Sequence, residues 1–206
     1  MNVSRETDAK LTRYVELLRE WQERLNLVAP STLADAHTRH IDDSLQLLDL
    51  IPSGQPVGTW IDLGSGAGFP GLVAATVLTA THVHLVESRA KKCRFLETVA
   101  DDLGIADRVT VHPVRIESMA GPRADVISAR ACAALPKLFD WGLRFQAKDT
   151  LWVLPKGRTA DEELDAAKRD FAFDHDTAPS RTDPEAKIIL ARNVKRLRAQ
   201  RRGAGS

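Results

Sequence analysis

Asp62-Leu63-Gly64-Ser65-Gly66-Ala67-Gly68-Phe69-Pro70-Gly71 is the stretch from which the fold can be read. Trp60-Ile61-Asp62-Leu63 reads as a short buried strand. Pro70 to Thr79 reads as a helix, with Pro70 suited to its first turn. Glycines at such a turn admit positive φ and let the backbone approach a ligand. In an open α/β sheet, ligands bind at that edge. Gly66-x-Gly68-x-x-Gly71 alone also matches the dinucleotide fingerprint, so the glycines leave the cofactor open.

Downstream, strand-like and helix-like runs alternate. Val83–Val86, Val109–Val111, Asp125–Ser128, Thr150–Leu154 and Lys187–Leu190 read as strands. Lys91–Leu103 (with Gly104 as its stop), Leu138–Phe145 and Asp161–Phe171 read as helices. Such alternation implies an α/β, doubly wound sheet, mainly parallel, with helices on both faces. Upstream, Leu11, Tyr14, Val15, Leu18, Trp21 and Leu25 recur at helical spacing. Ser31 and Thr32 are expected to cap a second helix, with Asp35 in a weak capping-box position. Ser53-Gly54-Gln55-Pro56 is a loop and the best boundary. The expected organisation is a helical extension over 1–52 packed on the core, a cofactor-binding domain over 57–192 and a basic tail over 193–206.

Composition narrows the class. Hydrophobic residues at 43% and charged residues at 28% exclude a wholly disordered chain. Two cysteines, Cys93 and Cys132, provide neither a disulfide framework nor a four-cysteine zinc site, and no histidine spacing suggests a metal. Charges from Arg5 to Glu20 argue against a signal peptide, and no apolar run is long enough to cross a membrane. A cytoplasmic monomer is expected. The net charge of +1 conceals an asymmetry: Lys187 to Ser206 holds seven basic residues and no acid, so the remainder is acidic overall. A basic stretch can contact nucleic acid phosphates or be a solvated terminus.

Two acids sharpen the cofactor class. Asp62 can accept hydrogen bonds from loop amides or a ligand ammonium. Glu87, ending the second strand, is placed to accept two ribose hydroxyls of an adenosine-type cofactor, or to be a solvated strand end. No lysine or arginine occurs from Asp62 to Thr81, which fits a cofactor without phosphates and excludes a P-loop lysine.

Asp62-x-Gly64-x-Gly66-x-Gly68, followed by Glu87, resembles the S-adenosylmethionine site of class I methyltransferases. More narrowly, the chain resembles the ribosomal small-subunit methyltransferase G family. The pieces are Trp21-x-x-Arg24-x-Asn26-Leu27, Arg39-His40-Ile41-x-Asp43-Ser44-Leu45 and Gly68-Phe69-Pro70-Gly71. Others are Lys91-Lys92-x-x-Phe95-Leu96, Arg115-Ile116-Glu117, Ser128-Ala129-Arg130-Ala131 and Lys156-Gly157. The resemblance implies a Rossmann-like sheet of about seven strands with a late antiparallel strand. It implies methylation of N7 of guanine 527 of 16S ribosomal RNA, with S-adenosylmethionine as cofactor and the small ribosomal subunit as partner. Gly64 and Phe69 become cofactor contacts, Ile116 and Glu117 contacts to its adenine end, and Arg130 a residue beside the site.

Guanine N7 carries a lone pair and no proton, so its methylation needs positioning and electrostatics rather than a base. Arg130 is then the candidate for positioning substrate or transition state, with a structural ion pair as the alternative. Cys132 sits among alanines without a base partner, which disfavours covalent catalysis. Lys91, Lys92, Arg94, Lys156, Lys195, Arg196 and Arg198 are candidate RNA contacts, with Arg89 beside them. Asn26, His40 and Asp43 read equally as caps or buried polar partners. Competing readings are a nicotinamide oxidoreductase, a non-catalytic adenosine or RNA binder, and a small-molecule methyltransferase. Tyr14 is the only tyrosine, so the first lacks a Tyr-x-x-x-Lys acid/base.

Overall fold

Apolar side chains that alternate along a strand must be buried on both sides, and here each parity meets its own layer of helices. The computed structural model describes residues 3–197. Its elements begin with α1 (Arg5–Gln22), a π-helical segment (His37–Asp42) and α2 (Asp43–Asp49). There follow β1 (Thr59–Leu63), α3 (Gly71–Val77), β2 (His82–Val86), α4 (Ala90–Asp102), β3 (Val109–His112) and β4 (Ala124–Ser128). The rest is α5 (Leu135–Gly142), β5 (Gln146–Lys156), α6 (Ala160–Asp170), β6 (Phe171–Pro179) and β7 (Lys187–Arg196).

The seven strands form one sheet in the order β3-β2-β1-β4-β5-β7-β6. β1 to β5 pair in parallel, and β7 runs antiparallel between β5 and β6. Trp60, Leu151, Val153 and Ile188 face one side and pack with α1 to α4. Ile61, Leu63, Trp152, Leu154 and Ile189 face the other and pack with α5 and α6. The order reverses between β1 and β4, which opens a crevice at their carboxyl ends.

Ser4 caps α1 by accepting the Thr7 N–H at 3.1 Å. Leu11, Tyr14 and Leu18 of that helix are fully buried against α3, α4 and the glycine loop. The N-terminal helices therefore belong to the same core as the sheet.

Three local expectations change. Thr32 caps no helix: it lies in a short 3-10 turn, Pro30–Thr32, and its hydroxyl donates to Ala29 O at 2.7 Å. The helix expected to end at Phe171 stops at Asp170, and Phe171 opens β6. That strand is a mostly exposed sheet edge with Asp174, His175 and Asp176 in its middle, so it lacks the alternation that marks buried strands. The boundary expected between 192 and 193 falls inside β7, which continues through Arg196. Lys195 and Arg196 pair with Ala172 and Phe171 of β6. Arg198 lies outside the described residues.

Candidate functional site

The glycine loop is built by close packing as much as by flexibility. Gly64 has φ +69°, and a Cβ there would lie 2.3 Å from the Cys132 sulfur. Gly68 has φ +91°, and a Cβ there would lie 2.6 Å from the Tyr14 hydroxyl. No side chain fits either position, so both the conformation and the space demand glycine. Ser65 N–H donates to Val86 O at 2.9 Å, which ties the loop to the end of β2.

Glu87 continues that tie. Its carboxylate accepts the Gly66 N–H at 3.1 Å and the Arg89 N–H at 2.7 Å, with little exposure. It lines a cavity of about 990 Å³ at the carboxyl ends of the strands. That volume lies at the upper end of what small-ligand sites occupy. Gly64, Gly66, Phe69, Ile116, Glu117 and Cys132 line the same cavity. Ile116 and Glu117 begin a 3-10 turn, Ile116–Ser118, after β3.

Asp62 and Gly68 do not reach the cavity wall. Asp62 is fully buried beneath the loop, where its Oδ1 accepts the Ser128 hydroxyl at 2.7 Å. Ser128 in turn accepts the Trp60 indole N–H at 2.8 Å, so β1 and β4 are linked by a side-chain chain as well as by their ladder. Burial raises the Asp62 pKa to about 6, against the Ser128 and Ser65 hydroxyls, the Arg130 charge and the Gly71 amide, which hold it down. Asp62 Oδ2 makes no well-formed hydrogen bond among the described residues.

The opposite wall comes from the N-terminal segment and the β6–β7 loop. Arg130, after β4, lines the cavity with its guanidinium 5.1 Å from the Phe69 ring centroid. Arg130 donates to Asp43 Oδ2 at 3.1 Å, to Arg39 O at 3.3 Å and to His40 Nδ1 at 3.2 Å. A guanidinium only donates, so Nδ1 of His40 is the acceptor nitrogen and Nε2 carries the proton toward Thr32 Oγ1, 2.9 Å away. Burial and the neighbouring Arg130 lower the His40 pKa to about 4, which keeps that ring neutral. His40 and Tyr14 both stack on Phe69, at 5.0 and 4.8 Å between centroids.

Arg130 thus both lines the cavity and forms an ion pair. Of the three polar residues whose sequence reads equally as caps or buried partners, His40 and Asp43 lie in this wall, whereas Asn26 is exposed and does not line the cavity. Thr182 and Asp183 of the β6–β7 loop also join the wall and take Arg39, through the Thr182 carbonyl and the Asp183 carboxylate. Nothing in their sequence pattern distinguishes them from an ordinary turn. Lys156 reaches the cavity already engaged, at 2.8 Å from Glu163 and 2.6 Å from Ala133 O. Lys92 lines the cavity, while Lys91 and Arg94 are exposed on α4. Arg196 is paired with Asp140 and lies over the Phe171 ring. Neither Arg196 nor Lys195 lines the cavity.

A model of the rRNA small subunit methyltransferase G family matches residues 7–189, most of the chain. The chain belongs to that family. The rRNA small subunit methyltransferase G of Rhizorhabdus wittichii is 48% identical over 203 residues, covering 98% of this chain and 91% of that protein. The one from Paramagnetospirillum magneticum is 45% identical and covers 96% of this chain and 94% of its own length. Among solved structures, an O-methyltransferase from Bacillus cereus in complex with SAH aligns with a TM-score of 0.63 at 13% identity, covering 90% of this chain and 91% of that one. A ribosomal protein L11 methylase from Lactobacillus delbrueckii subsp. bulgaricus aligns at 0.58 and 16% identity, covering 78% and 79%. At those identities the likeness is one of fold, and it is the methyltransferase fold. For a small subunit methyltransferase G family member, the crevice between β1 and β4 is where the sheet order directs a cofactor.

Proposed function

We propose that this protein transfers the methyl group of S-adenosylmethionine to N7 of a guanine in 16S ribosomal RNA, the guanine at position 527 that the family resemblance implies. The observation that carries this reading is the pairing of two walls around one cavity. One wall is a glycine loop braced by a buried carboxylate; the other comes from the N-terminal segment, and the two enclose about 990 Å³.

The residues fit that cofactor. The cavity side of Gly66 is open, with nothing within 3.8 Å of where a Cβ would stand. Glu87 retains lone pairs beyond its two amide partners for the ribose hydroxyls. Ile116 and Glu117 border the adenine end, and Gly64 and Phe69 the methionine end. Asp62 acts from beneath, through the loop. Bound there, S-adenosylmethionine supplies a methyl group already activated by its sulfonium.

The chain's own groups position rather than attack. Both His40 nitrogens are committed, one to Arg130 and one to Thr32. The Cys132 thiol pKa is raised by burial, then by the charges of Asp62 and Glu87, so the sulfur stays protonated. Neither is set up as a base or nucleophile, and N7 requires neither.

For the RNA, cations without a carboxylate partner matter most. Arg89, Lys92 and Arg115 line the cavity and form no ion pair among the described residues. Lys91 and Arg94 extend that charge along α4. Lys156 is spent on Glu163 and serves the wall instead. A cytoplasmic monomer is part of this reading; for the monomer, the described residues of one chain line the cavity, and Leu197 is the single exposed large apolar side chain among them. No helix among the described residues is long and apolar enough to cross a membrane, and no cluster there fits a metal ion.

The test is methyl transfer to small subunits from cells lacking this protein, with the modified nucleotide mapped. A methyl on N7 of guanine 527 is expected. Transfer to another atom or nucleotide, or none, overturns the reading.

A further inference from the structure

Asp43 is the junction of three chain segments. Its Oδ1 accepts the Thr182 hydroxyl at 2.6 Å and the Gln46 amide at 2.8 Å. Its Oδ2 takes Arg130 at 3.1 Å. Both partners of that ion pair are mostly shielded, at 20% and 15% side-chain exposure. The π-helical segment His37–Asp42 leads directly into Asp43, so the winding of one short stretch presents Arg39, His40 and Asp43 to the same cavity. Such local widening of a helix recurs at functional sites.

The charge arithmetic of this corner is unusual. A guanidinium stands in the wall of a cavity that, on the reading above, also takes a sulfonium cation, and methylation at N7 passes that positive charge to the guanine. An uncompensated Arg130 would repel both. Across several ångströms of protein such a repulsion weakens the binding of a cation by roughly ten-fold. Asp43 is the carboxylate ion-paired to Arg130. Asp62, buried under the loop, also acts on Arg130's charge without touching it.

We propose that Asp43 is a positioning residue. It aims the Arg130 guanidinium over Phe69 and cancels its charge, so that a cationic methyl donor can share the cavity with it. The inference rests on the S-adenosylmethionine reading and adds a role that the glycine loop does not supply.

The two forms of the cofactor supply the test, because S-adenosylhomocysteine has the same shape without the sulfonium charge. Calorimetry of the parent protein and Asp43→Asn with each ligand measures the ratio of affinities. Asparagine can still accept from Thr182 and Gln46, but it presents no charge to Arg130. Asp43→Asn is expected to lose about ten-fold in S-adenosylmethionine affinity and less than about two-fold for S-adenosylhomocysteine. Arg130→Gln, which leaves Asp43 uncompensated, should move the ratio the opposite way. Asp43→Asn with Arg130→Gln should return it toward the parent's. The Arg130→Gln arm stands by itself if Asp43→Asn fails to fold. Equal weakening of both ligands, or an unchanged ratio in Arg130→Gln, makes Asp43 a structural tie only and overturns the inference. A parent that binds neither ligand overturns the cofactor reading itself, a distinct result.

Discussion

The Tyr14 hydroxyl, on the first helix, donates to the Ala67 carbonyl in the middle of the glycine loop. Tyr14 is fully buried, and burial holds its pKa well above the ordinary tyrosine value, so it remains a donor. The bond ties the first helix to the glycine loop. Tyr14→Phe keeps the stacking on Phe69 and removes only the donor. It is expected to cost about 1 kcal/mol of stability in urea unfolding and to weaken S-adenosylmethionine binding. Unchanged unfolding and binding would mean that the helix merely lies alongside the loop.

Asp62 gives a pH signature. Folded, its pKa is about 6; unfolded, it ionises near 3.8. Between those values the folded chain holds a proton that the unfolded chain has released. Stability therefore falls as pH rises through the window, and the penalty is complete above about pH 6. Asp62→Asn lacks this dependence. The stability of the parent relative to Asp62→Asn should fall by roughly 2 kcal/mol between pH 4 and 6.5. A constant difference across that range would show that the buried carboxylate is already ionised at pH 4.

The parts of the fold legible in the sequence are those with strong local grammar. The glycine run, Gly104 as a helix stop and the apolar strands left little choice. β6 was not legible, because after Phe171 and Phe173 the strand is exposed on both faces from Asp174 to Thr177 and shows no alternation. Of the site, Glu87 and the loop were visible because a strand end followed by a helix fixes their place. Lys156 and Arg196 looked like free cations because a sequence does not show which carboxylate a cation meets. Glu163 and Asp140 come from helices that only the folded sheet brings near them. Asp62 stands in the pattern of a ligand contact, yet its side chain points beneath the loop, and only the packing of β1 against β4 decides that.

Glu87 bears on affinity. Glu87→Gln preserves shape but gives up the charge that two amides and the ribose hydroxyls would share. Hydrogen bonds to charged groups contribute about 1.5–3 kcal/mol, so S-adenosylmethionine binding should weaken roughly ten- to a hundred-fold. Parental affinity in calorimetry would remove the ribose assignment.

Gly64 and Cys132 form a tight pair. Gly64→Ala combines a positive φ with a Cβ placed 2.3 Å from the sulfur, and should destabilise the protein by more than about 2 kcal/mol. Adding Cys132→Gly opens the space and should recover part of the loss, leaving a backbone cost of about 1 kcal/mol. Cys132→Ala alone should methylate at close to the parental rate. A folded Cys132→Ala protein without methyl transfer would reopen covalent catalysis.

Binding to the ribosomal subunit should depend on which cations are free. Lys187 is bound to Asp161 at 2.6 Å, and Arg39, Arg130 and Lys156 have carboxylates of their own. A phosphate approaching any of these must displace a carboxylate, so little counterion is released there. Arg89, Lys92 and Arg115 form no ion pair among the described residues, and each phosphate contact they make should add about 0.7 to the logarithmic salt slope on single-stranded RNA. Replacing all three by glutamine should reduce the slope by about 2. Lys187→Gln should leave it unchanged. S-adenosylmethionine affinity, measured in parallel, separates loss of RNA contact from damage to the cavity these side chains share. If Lys187→Gln flattens the slope and the triple variant does not, the RNA enters over the β6–β7 side, and the paired cations exchange their carboxylates for phosphate on binding.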